Sequence, residues 1–253
     1  MTPCFVYFTC SGDAHLLEWS VKSVTKNYPR SEIFVAVDRD DSVGIMKGTT
    51  QVVTSFPRNK NLNGTACANG MVQTMLHCLL KSGATHVVKI DSDVVLLDSS
   101  LPDKVGDLDR WGTGVAWRGI NIYDSVAIGP MYVLSEKVLR KLLVNPDIIH
   151  QIQLELADKG PEDVLIAFAA DRIGIQNYHV TIEPAYDVWH LPEIYQEHPQ
   201  PTNKKLVCVG EGRGCFSRPR AVEAAVMRAY VTGETYTPSH TLTTQCRSHI
   251  DIS

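Results

Sequence analysis

Apolar residues fall in short runs that alternate with longer, helically spaced stretches, bounded by Gly, Pro, Asn and Asp. Cys4-Phe5-Val6-Tyr7-Phe8-Thr9 reads as a strand. Ser11-Gly12-Asp13 turns the chain, with Ser11 or Asp13 placed to cap a helix carried by Leu16, Leu17, Trp19, Val21 and Val24. Ile33 to Val37 is a second strand, closed by Asp38 and the charged turn Asp38-Arg39-Asp40-Asp41. Gln51 to Phe56 is a third, and a polar loop from Asn59 to Gly64 follows it. A helix then runs from about Thr65 to Lys81 and stops at Ser82-Gly83. The fourth apolar run, Val87 to Leu97, reads as one buried strand interrupted by Asp91 and Asp93.

The second half is less regular. Thr113 to Trp117 and Ala127 to Leu134 have strand composition, and Ser135 is placed to cap a helix from Glu136 to Leu143. Helices are expected around Ile148 to Asp158, from Glu162 to Arg172 before Gly174, and from Ala221 to Tyr230. Tyr178 to Ile182 and Lys205 to Val209 are expected strands. Strand, helix, strand, strand, helix, strand is the rhythm of an α/β protein with a largely parallel sheet. Such sheets bind ligands beyond the carboxyl ends of their strands, which puts Asp38 and the Asp91/Asp93 pair in one cleft.

Composition adds bounds. With 253 residues, 44% hydrophobic and 21% charged, the chain suits one large soluble domain. A net charge of -4 gives no general pull toward nucleic acid or membrane. Seven scattered cysteines without a CxxC pair argue against a disulfide framework or structural zinc, and suit a reducing compartment. No signal-peptide pattern and no membrane-length apolar run is present, so a cytoplasmic location is expected (host cytoplasm for a viral protein). The polar residues after Pro238 read as a tail, 238–253.

Carboxylates inside an apolar run need compensation. Alternate side chains of a strand share a face, so Asp91 and Asp93 converge and Ser92 faces away. Two oxygen donors at a strand end suit a hard divalent cation, Mg2+ or Mn2+. Pro161-Glu162-Asp163 places two acids at a helix start, which by itself is also an ordinary dipole-complementing first turn.

Taken in order, these residues resemble the GT-A glycosyltransferases, especially the family 2-like, nucleotide-sugar-dependent enzymes. Asp38 closes the second strand, and Asn63-Gly64 precedes a helix bearing Ala68-Asn69-Gly70. Lys89-Ile90-Asp91-Ser92-Asp93 is similar to the family's DxD motif, and Glu162-Asp163-Val164 to its acidic ED motif, followed by Arg172-Ile173-Gly174. The resemblance covers about the first 175 residues. No QxxRW motif is present, which sets the chain apart from the processive polymer synthases.

The resemblance implies a GT-A fold over 1–237, with a nucleotide-sugar-binding half (1–98) and an acceptor half (99–237). It implies transfer of a sugar from a UDP-sugar to a glycan, small-molecule or other hydroxyl acceptor, with Mn2+ or Mg2+. Asp93 would bind the metal directly, and Asp91 its water or the ribose. Ser92 lies within the same donor-binding stretch. Asp38 would accept from the base, and Thr9 would contact the nucleoside. Lys60 and Asn63, in the loop before the second helix, are candidates for nucleotide or phosphate. His190 is the candidate third metal ligand, with His179 and His198 as rivals. Asp163 is the candidate general base for an inverting transfer, with Glu162 supporting it or holding the acceptor. Gly210, Gly212 and Gly214 with Arg213 form a glycine-rich turn, and Trp111, Trp117 and Tyr123 are aromatic candidates for core or sugar platform.

Two competing readings stand beside this. Asp91-Ser92-Asp93 after an apolar strand also resembles the first motif of haloacid dehalogenase-type phosphatases, although three strands precede it here. A non-catalytic module that binds a nucleotide sugar or glycan would keep the same fold.

Overall fold

The computed structural model describes residues 1–41, 43–56, 64–115, 126–156, 161–181, 186–187, 206–208 and 220–234. Its elements are β1 (Pro3–Phe8), α1 (Ala14–Asn27), β2 (Ile33–Asp38), β3 (Thr50–Thr54), α2 (Gly64–Ser82), β4 (His86–Ile90), β5 (Val94–Leu96) and α3 (Leu101–Val105). These are followed by β6 (Arg110–Val115), β7 (Val126–Ser135), α4 (Glu136–Leu143), α5 (Pro146–Glu155), α6 (Glu162–Arg172), β8 (Tyr178–Thr181), β9 (Tyr186–Asp187), β10 (Leu206–Cys208) and α7 (Arg220–Thr232).

Seven strands form one mixed sheet in the order β3-β2-β1-β4-β7-β6-β8. β1, β2, β3 and β4 run parallel, whereas β7 lies antiparallel to both β4 and β6. From β1 the chain winds outward through β2 and β3, then returns to place β4 on β1's other side. The carboxyl ends of β1 and β4 therefore flank a topological switch point, where α/β sheets open a ligand crevice.

Both faces of the central strands are covered, which is why these strands read as continuous apolar runs. Cys4, Val6, Phe34, Val87, Tyr132 and Leu134 pack on one face with α2, α4, α5 and α6. Phe5, Tyr7, Val35, Val88, Ile90 and Val133 pack on the other, with α1 and α3. Trp111 belongs to this second core and is buried.

The structure corrects the sequence reading at several places. The run Val87 to Leu97 is two strands. Asp91, Ser92 and Asp93 form a turn between them, closed by the Val94 amide on the Asp91 carbonyl (3.3 Å). Asp91 and Asp93 thus owe their common accessibility to a turn and not to strand alternation. A fully covered strand has no place for two carboxylates, and the turn lifts them to the sheet's edge while Ser92 is buried. β5 leaves for a second sheet, β5-β10-β9. There Val95 packs with Leu16 and, from α7, Met227 and Ala229. β6 begins at Arg110, three residues earlier than its apolar pattern suggests, because Arg110 is buried with partners on α6. The pattern gives no sign of α3, which is one short turn with a proline in its first positions. Asp13 sits at the start of α1 without capping it by its side chain, whereas Ser135 caps α4 as expected. Among the described residues no helix is long and apolar enough to cross a membrane.

Candidate active site

The switch point is bridged by side chains. Ser92 Oγ donates to Thr9 Oγ1 (2.9 Å), joining the turn after β4 to the end of β1. Both residues are buried, so these hydroxyls link the two strand ends. At the end of β2, Thr54 Oγ1 bonds the Asp38 carboxylate (3.2 Å) and the Val37 carbonyl (3.0 Å). The charged turn folds back on itself, with the Asp41 amide on the Asp38 carbonyl (3.0 Å). Asp41 in turn accepts from the Ser11 amide (2.9 Å). The loops after β1 and β2 are thus tied together, and Asp38 stands half-buried between them.

A lysine that the sequence reading passed over organises the other side. Lys89 is buried on β4 and donates from Nζ to Asp91 Oδ1 at 2.5 Å. Its cross-strand neighbour is Tyr132 on β7, and Nζ lies 5.6 Å from the centre of the Tyr132 ring. Burial pulls the Lys89 pKa down, but Asp91, Glu162 and Asp163 together pull it further up, so it is raised. Tyr132 reports the same field: burial, then Glu162, Asp163 and Asp91, push its phenol well above the ordinary value. Asp91 and the acidic start of α6, more than seventy positions apart in sequence, therefore converge around one buried cation.

The two acids of α6 differ in setting. Glu162 is buried, whereas Asp163 is half-buried and accepts from the Val164 amide (2.8 Å). Behind Asp163 lies a cavity of about 10 Å3, lined by Arg110, Tyr132, Leu134, Asp163, Ile166 and Ala167. Arg110 fastens β6 to α6, bonding the Ala167 carbonyl and Asp171 at 2.6 Å each while stacking 4.2 Å from the centre of the Tyr178 ring. Burial raises the Asp171 carboxyl despite this partner.

Lys60, Asn63 and His190 lie outside the described residues, as do Trp117, Tyr123 and the Gly210–Gly214 turn. No group of three His, Cys, Asp or Glu among the described residues converges as a metal cage. Asp91 and Asp93 nevertheless fit a hard cation that takes its remaining ligands from phosphate and water: both are oxygen donors, both are partly accessible, and they share one turn. Lys89, Tyr132 and Arg110 are the residues that sequence reasoning missed. For Lys89 the signal was available, since a charge inside an apolar run needs compensation whichever its sign.

No family model matches the sequence, and no curated protein matches it. Solved structures do match. The crystal structure of galactosyltransferase LgtC in complex with donor and acceptor sugar analogs aligns with a TM-score of 0.56 at 14% identity, covering 95% of this chain and 99% of that one. An active-site mutant of LgtC aligns with a TM-score of 0.54 at 13% identity, over 94% and 98%. A glycosyltransferase involved in glycosylation of the major capsid of PBCV-1 aligns with a TM-score of 0.53 at 11% identity, over 90% and 99%. The chain therefore has the GT-A fold of these glycosyltransferases.

Proposed function

We propose that the protein is a metal-dependent glycosyltransferase that moves a sugar from a UDP-sugar to an acceptor hydroxyl. The observation that carries this reading is the convergence of the Asp91–Asp93 turn and the Glu162-Asp163 pair around Lys89, beside the switch point of a GT-A sheet. The sheet order supports treating 1–237 as one domain, since β7 from the second half pairs with β4 from the first.

In this reading Asp93 and Asp91 hold Mn2+ or Mg2+, with His190 as third ligand. The ion, when bound, stabilises negative charge on the departing diphosphate. Asp38 accepts a hydrogen bond from the nucleotide base, in a position prepared by Thr54. Thr9 and Ser92 shape the floor below the nucleoside through their mutual hydrogen bond, and Lys60 and Asn63 approach the donor from the loop before α2. The acceptor oxygen attacks the anomeric carbon as the bond from that carbon to the diphosphate oxygen breaks. Asp163 takes the acceptor's proton, and Glu162 orients the acceptor or the base. Attack opposite the leaving group inverts the anomeric centre. The odd number of scattered cysteines without a CxxC pair suits a reducing compartment, and the reading takes the cytoplasm as its place of work.

The test is a screen of nucleotide sugars for UDP release in the presence of Mn2+, followed by NMR assignment of the product's anomeric configuration. Release from a UDP-sugar with inverted product supports the whole reading. A retained product removes Asp163 as base but keeps the transferase. Absence of release from every nucleotide sugar overturns the proposal, and phosphate-ester hydrolysis in its place would favour the phosphatase reading.

A further inference from the structure

We propose that Lys89 is the resident counter-ion of the Asp91–Asp93 turn: a positioning residue that holds Asp91 in place before a divalent cation arrives and is opposed to that cation once it binds. The functional meaning rests on the glycosyltransferase reading, but the geometry stands on its own. Lys89 is the one cation in β4, whose other residues are His86, Val87, Val88 and Ile90. Its side chain shares the face of Val87, toward α2 and α6, and is only 5% exposed. A buried ammonium is retained only with compensation. Here that compensation comes from three elements: Asp91 on the adjoining turn at 2.5 Å, the face of Tyr132 on β7, and Glu162 and Asp163 on α6.

The ion pair commits Asp91 Oδ1 inward and leaves Oδ2 to serve a metal, its water or a ribose hydroxyl. Because Lys89 and a divalent cation would share one carboxylate, the lysine orders that carboxylate in advance and also weakens the metal's hold on it. The charges of Glu162 and Asp163 act on the same ammonium, so the acidic start of α6 shares its field with the donor side of the cleft.

The test uses Lys89→Met, which preserves the length of the apolar stem, with Lys89→Arg and the double variant Lys89→Met/Asp91→Asn. Unfolding midpoints are measured with and without Mn2+, and Mn2+ alone is titrated by electron paramagnetic resonance. Lys89→Met should lower the metal-free midpoint by about 4 °C, because it removes the buried cation that offsets Asp91, Glu162 and Asp163. It should bind Mn2+ about fourfold more tightly, because a like charge has been removed. Mn2+ should therefore raise its midpoint more than that of the wild type, and Lys89→Arg should stay close to the wild type. The double variant should regain part of the metal-free stability, since Glu162 and Asp163 still lack their cation, and lose the tighter binding. Should Lys89→Met fail to fold, partial recovery in the double variant still supports the proposal, and a double variant no more stable than Lys89→Met overturns it. An unchanged Mn2+ affinity in folded Lys89→Met overturns it as well, leaving Lys89 a purely structural pair. Failure of the glycosyltransferase reading shows separately, as absence of UDP release from the wild type.

Discussion

Gly70 in α2 lies directly against Phe56, the residue two positions after β3. A Cβ at position 70 would stand 2.2 Å from Phe56 Cγ, 2.4 Å from Cδ1 and 2.6 Å from Cβ. Ordinary carbon contacts begin at about 3.5 Å, so Phe56 would have to retreat by more than about 1 Å. Rotating the ring does not solve this, because Phe56 Cβ itself is in the way, and the ring packs edge-on against Phe8 with centroids 6.2 Å apart. Gly70→Ala must therefore shift backbone on one side of the contact. Overpacking of this kind costs up to about 3 kcal/mol. Alanine's better helix propensity offsets about 1 kcal/mol. The net loss is about 2 kcal/mol, or a midpoint lower by about 4–8 °C for a chain of this size. Urea unfolding followed by circular dichroism measures it, and the decisive comparison repeats the substitution in a Phe56→Gly background, which removes Cβ as well as the ring. With the whole side chain removed, alanine at 70 should stabilise by about 1 kcal/mol. A Gly70→Ala protein as stable as the wild type would refute the reasoning, as would a penalty that survives in the Phe56→Gly background. The site shares the consequence, since Phe8 immediately precedes Thr9 at the switch point.

Ser92→Ala should lose about 1–2 kcal/mol in the same urea assay, because it removes a buried bond to Thr9; an unchanged midpoint would mean that this bond does not hold the two strand ends together. His86 is drawn below its ordinary pKa, first by burial, while its Nε2 bonds the Leu108 carbonyl (2.9 Å). The unfolded chain therefore binds the proton more readily, and His86's contribution to stability is complete above about pH 6.5 and declines as pH falls toward the lowered value. His86→Gln should accordingly show a smaller drop in midpoint than the wild type between about pH 7.5 and about pH 5.5, and equal slopes would contradict the assignment. Asp163→Asn should reduce transfer by about 10²–10⁴-fold while calorimetry still detects UDP-sugar binding; full activity would remove Asp163 from the mechanism.

Much of the fold was legible because its cues are local. The buried strands β1 and β2 announce themselves as short apolar runs, and α2 ends at Ser82-Gly83, where Gly83 adopts a positive φ of 66°. Ser135 capping α4 and the acidic start of α6 are equally local. The places where the reading slipped are those where a distant partner changes what a residue can do. Arg110 falls outside the expected strand because its charge is met by Ala167, Asp171 and the Tyr178 ring, some sixty residues on. The single strand drawn through Asp91 and Asp93 breaks because β4 and β5 belong to different sheets, a matter of pairing that no window of eleven residues contains.

By itself, then, the sequence determined the α/β class, the position of the acidic residues at element ends, and the order in which they occur, since propensity, capping and period act over a few residues. Tertiary structure alone decided which charges meet. Lys89 looks like an isolated anomaly in an apolar run until Tyr132 arrives beside it from β7 and Glu162 and Asp163 from α6. Electrostatic energy depends on separation in space, and chain folding brings residues 89, 132 and 163 together although nothing in their local sequence encodes that distance.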